Sequence, residues 1–162
     1  MATYYVGGVG RLSLDISDPE KKALAMNQEA VERKLDGIMR RTASGLVSVT
    51  RTAAPVYTGP PKRGVVSGAL RRGIVPSPLA ERSAVPGKVV YDVYMDSGMN
   101  DTFVKYSKNG TRYYYPASQE YGFRTAKGRK GGLYFMRDTA VAYYPAVEEA
   151  TAQAVGELLE EI

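Results

Sequence analysis

The sequence predicts an α+β fold. A long N-terminal helix and a C-terminal helix pack on a three- to four-stranded, mostly antiparallel sheet, with extended loops. Three observations carry that expectation. Apolar residues recur every three or four positions over two stretches, one in the first third of the chain and one at its end, the period of a helix with one buried face. Between them, residues 88–95 alternate with the two-residue period of a strand. The chain has 162 residues, a length that suits one domain burying about two-thirds of its unfolded surface. Helix, strands and helix in that order is the layout of a sheet with both helices on one face.

Residues 1–17 read as an N-terminal arm or hairpin, with 4–6 and 11–16 extended, Leu12, Leu14 and Ile16 on one face, and Gly7-Gly8-Val9-Gly10 between the two runs. Asp18, Pro19 and Glu20 open the long helix of residues 18–54. An Asp carboxylate accepts from free amides of the first turn, and proline is tolerated at the first helical position. The apolar stripe of this helix is Leu24, Val31, Leu35, Ile38, Thr42, Leu46, Val49 and Ala53, and Pro55 ends it. Gly37 and Gly45 lie inside at about 1 kcal/mol each relative to alanine, so they mark close packing against a neighbour or a bend.

Residues 56–87 read as loop and strand. Thr58, Gly59, Pro60, Pro61, Gly64 and Gly68 neither continue a helix nor suit a central strand. A strand begins over 70–75, Pro76 and Pro78 break it, and 79–87 is an exposed connection. Residues 88–122 form the sheet with a projecting hairpin. Val89, Tyr91, Val93 and Met95 share one face of the first strand, Lys88, Val90, Asp92 and Tyr94 the other, and 112–115 is a further strand. Asn109-Gly110 closes a ribbon of 103–107 with 111–115. Residues 123–132 are basic, glycine-rich and nearly free of apolar side chains, which predicts a mobile loop. Residues 133–162 are the C-terminal helix, with Met136, Ala140, Tyr144, Val147, Thr151, Ala154, Leu158 and Ile162 on one face and a kink or a fresh start at Pro145.

Cysteine and histidine are both absent. That excludes disulfides, thiolate and imidazole metal ligands, and nucleophilic catalysis with a histidine base. No pair of acids has catalytic spacing, and residues 122–130, GFRTAKGRK, do not complete a GxxxxGK[ST] phosphate loop. The expectation is a protein that is not an enzyme, with no catalytic, metal or cofactor-binding residues. No apolar run approaches the ~20 residues of a membrane span, and residues 1–16 lack the layout of a signal peptide. No membrane partner is expected, and assembly in the cytoplasm is.

The net charge of +5 is segregated along the chain. Lys105, Lys108, Arg112, Arg124, Lys127, Arg129 and Lys130 stand against the single acid Glu120, whereas 138–162 holds Asp138, Glu148, Glu149, Glu157, Glu160 and Glu161 and no base. Opposed patches of this kind suit head-to-tail contact between copies. Arg71 and Arg72 straddle an expected strand edge and are candidates for inter-subunit contact. Tyr113, Tyr114 and Tyr115, with Glu120 and Tyr121, form the aromatic centre of the chain. Tyrosine buries a ring and keeps a polar tip, so the cluster suits a sheet face, a protein interface or stacking on exposed bases. Tyr114 and Tyr121 are read as partner contacts. Glu120 is either an exposed counter-charge or a buried or interfacial partner of an arginine. Arg124, Lys127, Arg129 and Lys130 are candidates for facing DNA phosphate without reading sequence, or for gripping the acidic C-terminal helix of the next copy.

Three blocks in order, Ala54-Pro55-Val56-Tyr57-Thr58-Gly59 with Leu70-Arg71-Arg72-Gly73-Ile74, then Tyr115-Pro116 with Glu120-Tyr121-Gly122, then Phe135-Met136-Arg137, resemble the tail-completion or head-to-tail joining proteins of long-tailed bacteriophages. The resemblance covers roughly residues 20–145. It departs from the family pattern by inserting residues 59–66, GPPKRGVV, before the Leu-Arg block. It implies a structural protein of the virion neck, a homo-oligomeric ring, hexameric or dodecameric, between the head connector and the tail tube, completing the upper end of the tail. Its implied partners are copies of itself, the adjacent head-connector and tail-tube or tail-terminator proteins, and genomic DNA in the channel. Tail terminator or head-closure protein of the same neck is the alternative, and a non-viral nucleic-acid-binding module is the alternative of another class.

Overall fold

A computed structural model describes residues 2–6, 10–15, 28–60, 65–80 and 88–160, with side chains from residue 32 onward except those of 158 and 159. The expected helix start at Asp18-Pro19-Glu20, the face positions Ile16, Leu24 and Ile162, Pro61 and Gly64 of the loop, and residues 81–87 of the connection lie outside the described residues.

The fold is α+β. Strands β1 (Ala2–Val6) and β2 (Gly10–Asp15) form the expected hairpin, and β2 continues the sheet onto β4 (Lys88–Met95). With β3 (Ile74–Pro78) the order is β1-β2-β4-β3, antiparallel throughout. Helix α1 (Gln28–Ala53) packs on β4 and β3, and the C-terminal helix, α5 (Phe135–Glu160), packs along α1 and reaches β1 and β2. Val89, Tyr91 and Val93 of β4 enter the core shared with α1 as the alternation predicts, but Val90 on the opposite face is buried too. Tyr91 donates its hydroxyl to Asp36 Oδ1 at 2.8 Å. Burial, then the Asp36 carboxylate, pushes its pKa up to about 12, so it remains a neutral donor at ordinary pH.

The buried face of α1 differs from the expected stripe. Val49 is 39% exposed and Ala53 is exposed, while Met39, Ala43, Val47 and Thr50 are buried beside Leu35, Ile38, Thr42 and Leu46. The sheet covers α1 on one side and α5 on another, so each turn buries two adjacent residues rather than one. Thr50 and Thr139 bring their hydroxyls to 3.0 Å across the two helices. At Gly45 the helices approach so closely that a Cβ would meet the Tyr143 hydroxyl, whereas around Gly37 there is room. Gly45→Leu is therefore expected to cost about 1–3 kcal/mol by overpacking. Gly37→Ala should gain up to about 1 kcal/mol of helix propensity. Urea midpoints of the two variants, moving in opposite directions, check both.

Residues 69–78 correct the sequence reading. Ala69–Gly73 is a short helix, α2, and the strand begins at Ile74 and runs through both prolines. Ala69, Leu70 and Gly73 are buried together while Arg71 and Arg72 are exposed, a pattern that a helical turn produces and an alternating strand does not. The prolines are tolerated because of where they fall. Leu79 N–H donates to Val90 O at 2.9 Å and Asp96 N–H to Gly73 O at 2.6 Å, so the odd-numbered residues of β3 turn their backbone groups to β4 and the even-numbered ones turn away. Pro76 and Pro78 sit at outward positions of an edge strand, where a missing N–H removes no ladder bond. The outward carbonyl of Ile74 accepts from Arg51, Nη2 at 2.8 Å and Nε at 3.1 Å. This edge is poorly suited to pairing with a further strand.

After a 3-10 turn (Ser97–Met99) and the single helical turn α3 (Asn100–Phe103), the projecting ribbon is β5 (Val104–Tyr106) with β6 (Arg112–Tyr114). Its loop has three residues, 108–110, with Gly110 at φ 75 and Ser107 N–H donating to Thr111 O at 2.9 Å. That is the type of hairpin turn in which glycine takes the left-handed position. The next block is not a strand. Tyr115–Tyr121 is helix α4, with Pro116 in its first turn, where fixed φ favours helix over strand. Residues 123–132, expected as a mobile loop, pair instead as β7 (Gly122–Thr125) with β8 (Gly128–Gly131). Helix α5 (Phe135–Glu160) is continuous through Pro145, which is exposed, so the expected fresh start is absent.

Candidate interaction surfaces

The strongest local geometry lies where α4, the β7–β8 ribbon and the start of α5 meet. Glu120, at the C-terminal end of α4, is 3% exposed. Its Oε2 accepts from Met136 N–H and its Oε1 from Arg137 N–H, both at 3.0 Å. These are first-turn amides of α5 with no partner inside their own helix, and the helix dipole favours a carboxylate there. Glu120 is thus neither an exposed counter-charge nor the partner of an arginine side chain, and burial within its own chain takes it out of the set of partner contacts. The guanidinium of Arg137 turns away to Asp138 Oδ1 at 2.8 Å and lies over the Tyr134 ring at 4.1 Å.

The backbone closes the same joint. Leu133 N–H donates to Gln119 O at 2.8 Å and Tyr134 N–H to Glu120 O at 3.1 Å, with Tyr134 held at φ 49, in the left-handed region. Both ends of the β7–β8 ribbon are therefore clamped to one rigid base. The ribbon itself is solvated along both strands. Phe123 stands opposite Lys130, whose Nζ is 5.9 Å from the ring, and Arg124 stands directly opposite Arg129. Thr125 Oγ1 donates to Gly128 O at 2.8 Å and accepts from Lys127 N–H at 3.3 Å, which shapes the tip. Among the described residues, Arg124, Lys127, Arg129 and Lys130 have no carboxylate partner. Like charges directly across a ladder destabilise it, and a two-stranded ribbon is marginal in water. Tyr121, Phe123 and Leu133 are exposed around its base.

The other candidates separate. Tyr114 packs edge-on against the buried Phe103 at 6.0 Å, and burial raises its pKa, so its ring serves the core. Tyr121 remains exposed, edge-on to Tyr134 at 6.5 Å, its pKa raised by burial and then by the Glu120 charge. Arg71 caps the C-terminus of α1, donating from Nε to Ala54 O at 3.3 Å and from Nη2 to Thr52 O at 3.2 Å, where a cation suits the helix dipole. Arg72 donates to Ser67 O at 3.2 Å. With Arg51, unremarked in the sequence, the pair lines an open groove of about 630 Å³ beside Pro76. A second cleft of about 400 Å³ is lined by Tyr57, Val65, Val66, Tyr106, Tyr113 and Tyr115 among others. Tyr106 at its rim is 66% exposed. The adjacent valines 65 and 66 in a Gly- and Pro-rich loop were the signal for this cleft.

Among the described residues no three carboxylates converge as a metal site, and no helix is long and apolar enough to cross a membrane. Comparison of the chain with protein-family models, with curated proteins and with solved structures gave no match.

Proposed function

We propose that this chain is a structural assembly protein of a phage neck, a tail-completion or head-to-tail joining subunit that forms a ring with its own copies and bridges the head connector to the tail tube. One observation carries the reading: the blocks of the resemblance meet in space as two pairs of helix caps. The Leu-Arg block supplies Arg71 to the end of α1 at Ala54-Pro55, and the Glu-Tyr-Gly block supplies Glu120 to the Phe-Met-Arg start of α5. Blocks that hold one another's helix ends have a physical reason to occur together and in order.

The exposed surfaces fit a protein that works by docking. Two ribbons stand out from the body, aromatic residues are exposed on both, and positive and negative charge lie on different elements. In that setting the basic ribbon has two candidate occupants, DNA phosphate, whose contact is salt-dependent and blind to sequence, and an acidic surface of a neighbouring copy.

Electron microscopy of particles assembled without this chain, beside a complemented control, tests the proposal. Filled heads and finished tails lying separate are expected. Empty, leaking heads would move the role to head closure, tails of uncontrolled length to a terminator, and normal infectious particles would overturn the neck reading.

A further inference from the structure

The basic ribbon and the acidic residues of α5 lie toward opposite ends of one helix. Its base is joined to the N-terminus of α5 through residues 131–134. Glu149, Glu157 and Glu160 are exposed farther down, in a segment without a single base. With Asp138 they fall within about 100° of arc at 3.6 residues per turn. The buried Met136, Ala140, Val147 and Thr151 occupy the opposite side, so Asp138, Glu149 and Glu160 run along the outward face, with Glu157 at its edge, where it lines a groove together with Ile38, Arg41 and Tyr143.

Within one chain the two surfaces do not meet. Arg124 and Arg129 stand two residues out from the base, about 7 Å along the ribbon at 3.3 Å per residue. Glu149 lies 14 residues beyond Phe135, about 21 Å along α5. An arginine side chain does not bridge that difference, and among the described residues no ribbon base is paired with an acid. The two arginines face each other, and nothing among the described residues neutralises them.

We propose that the β7–β8 ribbon of one copy docks on the acidic outward face of α5 in the next copy, head to tail. A contact between different surfaces of identical chains leads to a closed ring or an open filament rather than to a two-fold dimer. Steering and register come from Arg124 and Arg129 against Glu149, Glu157 and Glu160. The exposed Phe123, Tyr121 and Leu133 at the ribbon base and the exposed Val141 on α5 supply apolar contact area, which a protein partner uses and a phosphate backbone does not. The inference rests on the assembly reading only in requiring that copies meet.

The test is size-exclusion chromatography with light scattering on the full chain at low and high salt, with circular dichroism of each variant. Wild type should associate in a concentration-dependent way, more weakly at high salt. The ribbon variant Arg124→Glu/Arg129→Glu and the helix variant Glu149→Lys/Glu157→Lys/Glu160→Lys should each raise the midpoint of association on the order of a hundredfold. A chain carrying both sets should associate again, as should an equimolar mixture of the two variants. Lys127→Glu, at the exposed tip of the ribbon, gives a milder loss with little effect on folding. Association that ignores both sets, or a wild type that stays monomeric under all conditions, overturns the proposal. Loss of binding to random duplex DNA with unchanged self-association also overturns it, in favour of nucleic acid as occupant. If self-association fails this test while particles lacking the chain still fail to join, the inference falls and the neck reading stands.

Discussion

Glu120→Ala is expected to lower the unfolding free energy by about 3 kcal/mol, a large fraction of what a domain of this size possesses. Two charge-assisted hydrogen bonds are lost, and the Met136 and Arg137 amides at the start of α5 are left without their acceptor. Truncation also leaves a small void, since Glu120 is 97% buried by the complement of its 3% exposure. Glu120→Gln separates charge from shape. It retains one carbonyl acceptor but directs an NH2 group at a backbone N–H, so it should lose about half as much as alanine. Urea unfolding followed by far-ultraviolet circular dichroism gives both values. An alanine variant within 0.5 kcal/mol of wild type, about the ordinary range for surface substitutions, would sink the assignment of Glu120 as the cap. The β7–β8 ribbon should exchange its amide protons faster in both variants, because its base is held by the same joint.

Gly122→Ala should cost a comparable amount, about 3 kcal/mol, for two reasons that act at one atom. Gly122 has φ 82 and ψ −176, a backbone region open almost solely to glycine. Its missing Cβ would also run into the backbone of residues 130–132, at the Lys130 carbonyl. Backbone does not yield as a side-chain tip does, since both strands are tied to the Glu120 joint. Gly128, at φ 126 but with open space around its Cβ position, provides the comparison. Gly128→Ala carries the conformational term without the collision and should lose only about 1–2 kcal/mol. Equal losses at the two positions would show that packing at the ribbon base adds nothing.

Both predictions fall on a joint that the sequence marked only indirectly. In the sequence Glu120 stands out as a lone acid among bases, and Gly122 as part of a Glu-Tyr-Gly block. The groups that Glu120 serves lie 16 and 17 residues farther on, and nothing in the local pattern says which orphan amides a carboxylate will meet. Arg71 is a parallel case. Its local sequence predicts a strand edge, but it lies in a helical turn, where it reaches carbonyls 17 and 19 residues earlier in the chain.

Elements with a strong local cause were legible. The helical period of residues 28–53 and 135–160, the alternation over 88–95 and the glycine of the 108–110 turn each follow from interactions among near neighbours. Short segments were not legible. Residues 69–73, 115–121 and 122–131 have weak preferences of their own, and their form depends on which surface each must present. Pro76 and Pro78 read as strand breakers because sequence does not reveal that β3 is an edge, or that both prolines face outward from it. Period and turn chemistry therefore established the class of fold and its two long helices. Strand order, the width of the buried face of α1, the clamp at Glu120 and the separation of the basic ribbon from the acidic stripe emerged with the packed chain, since each joins residues that are distant in sequence.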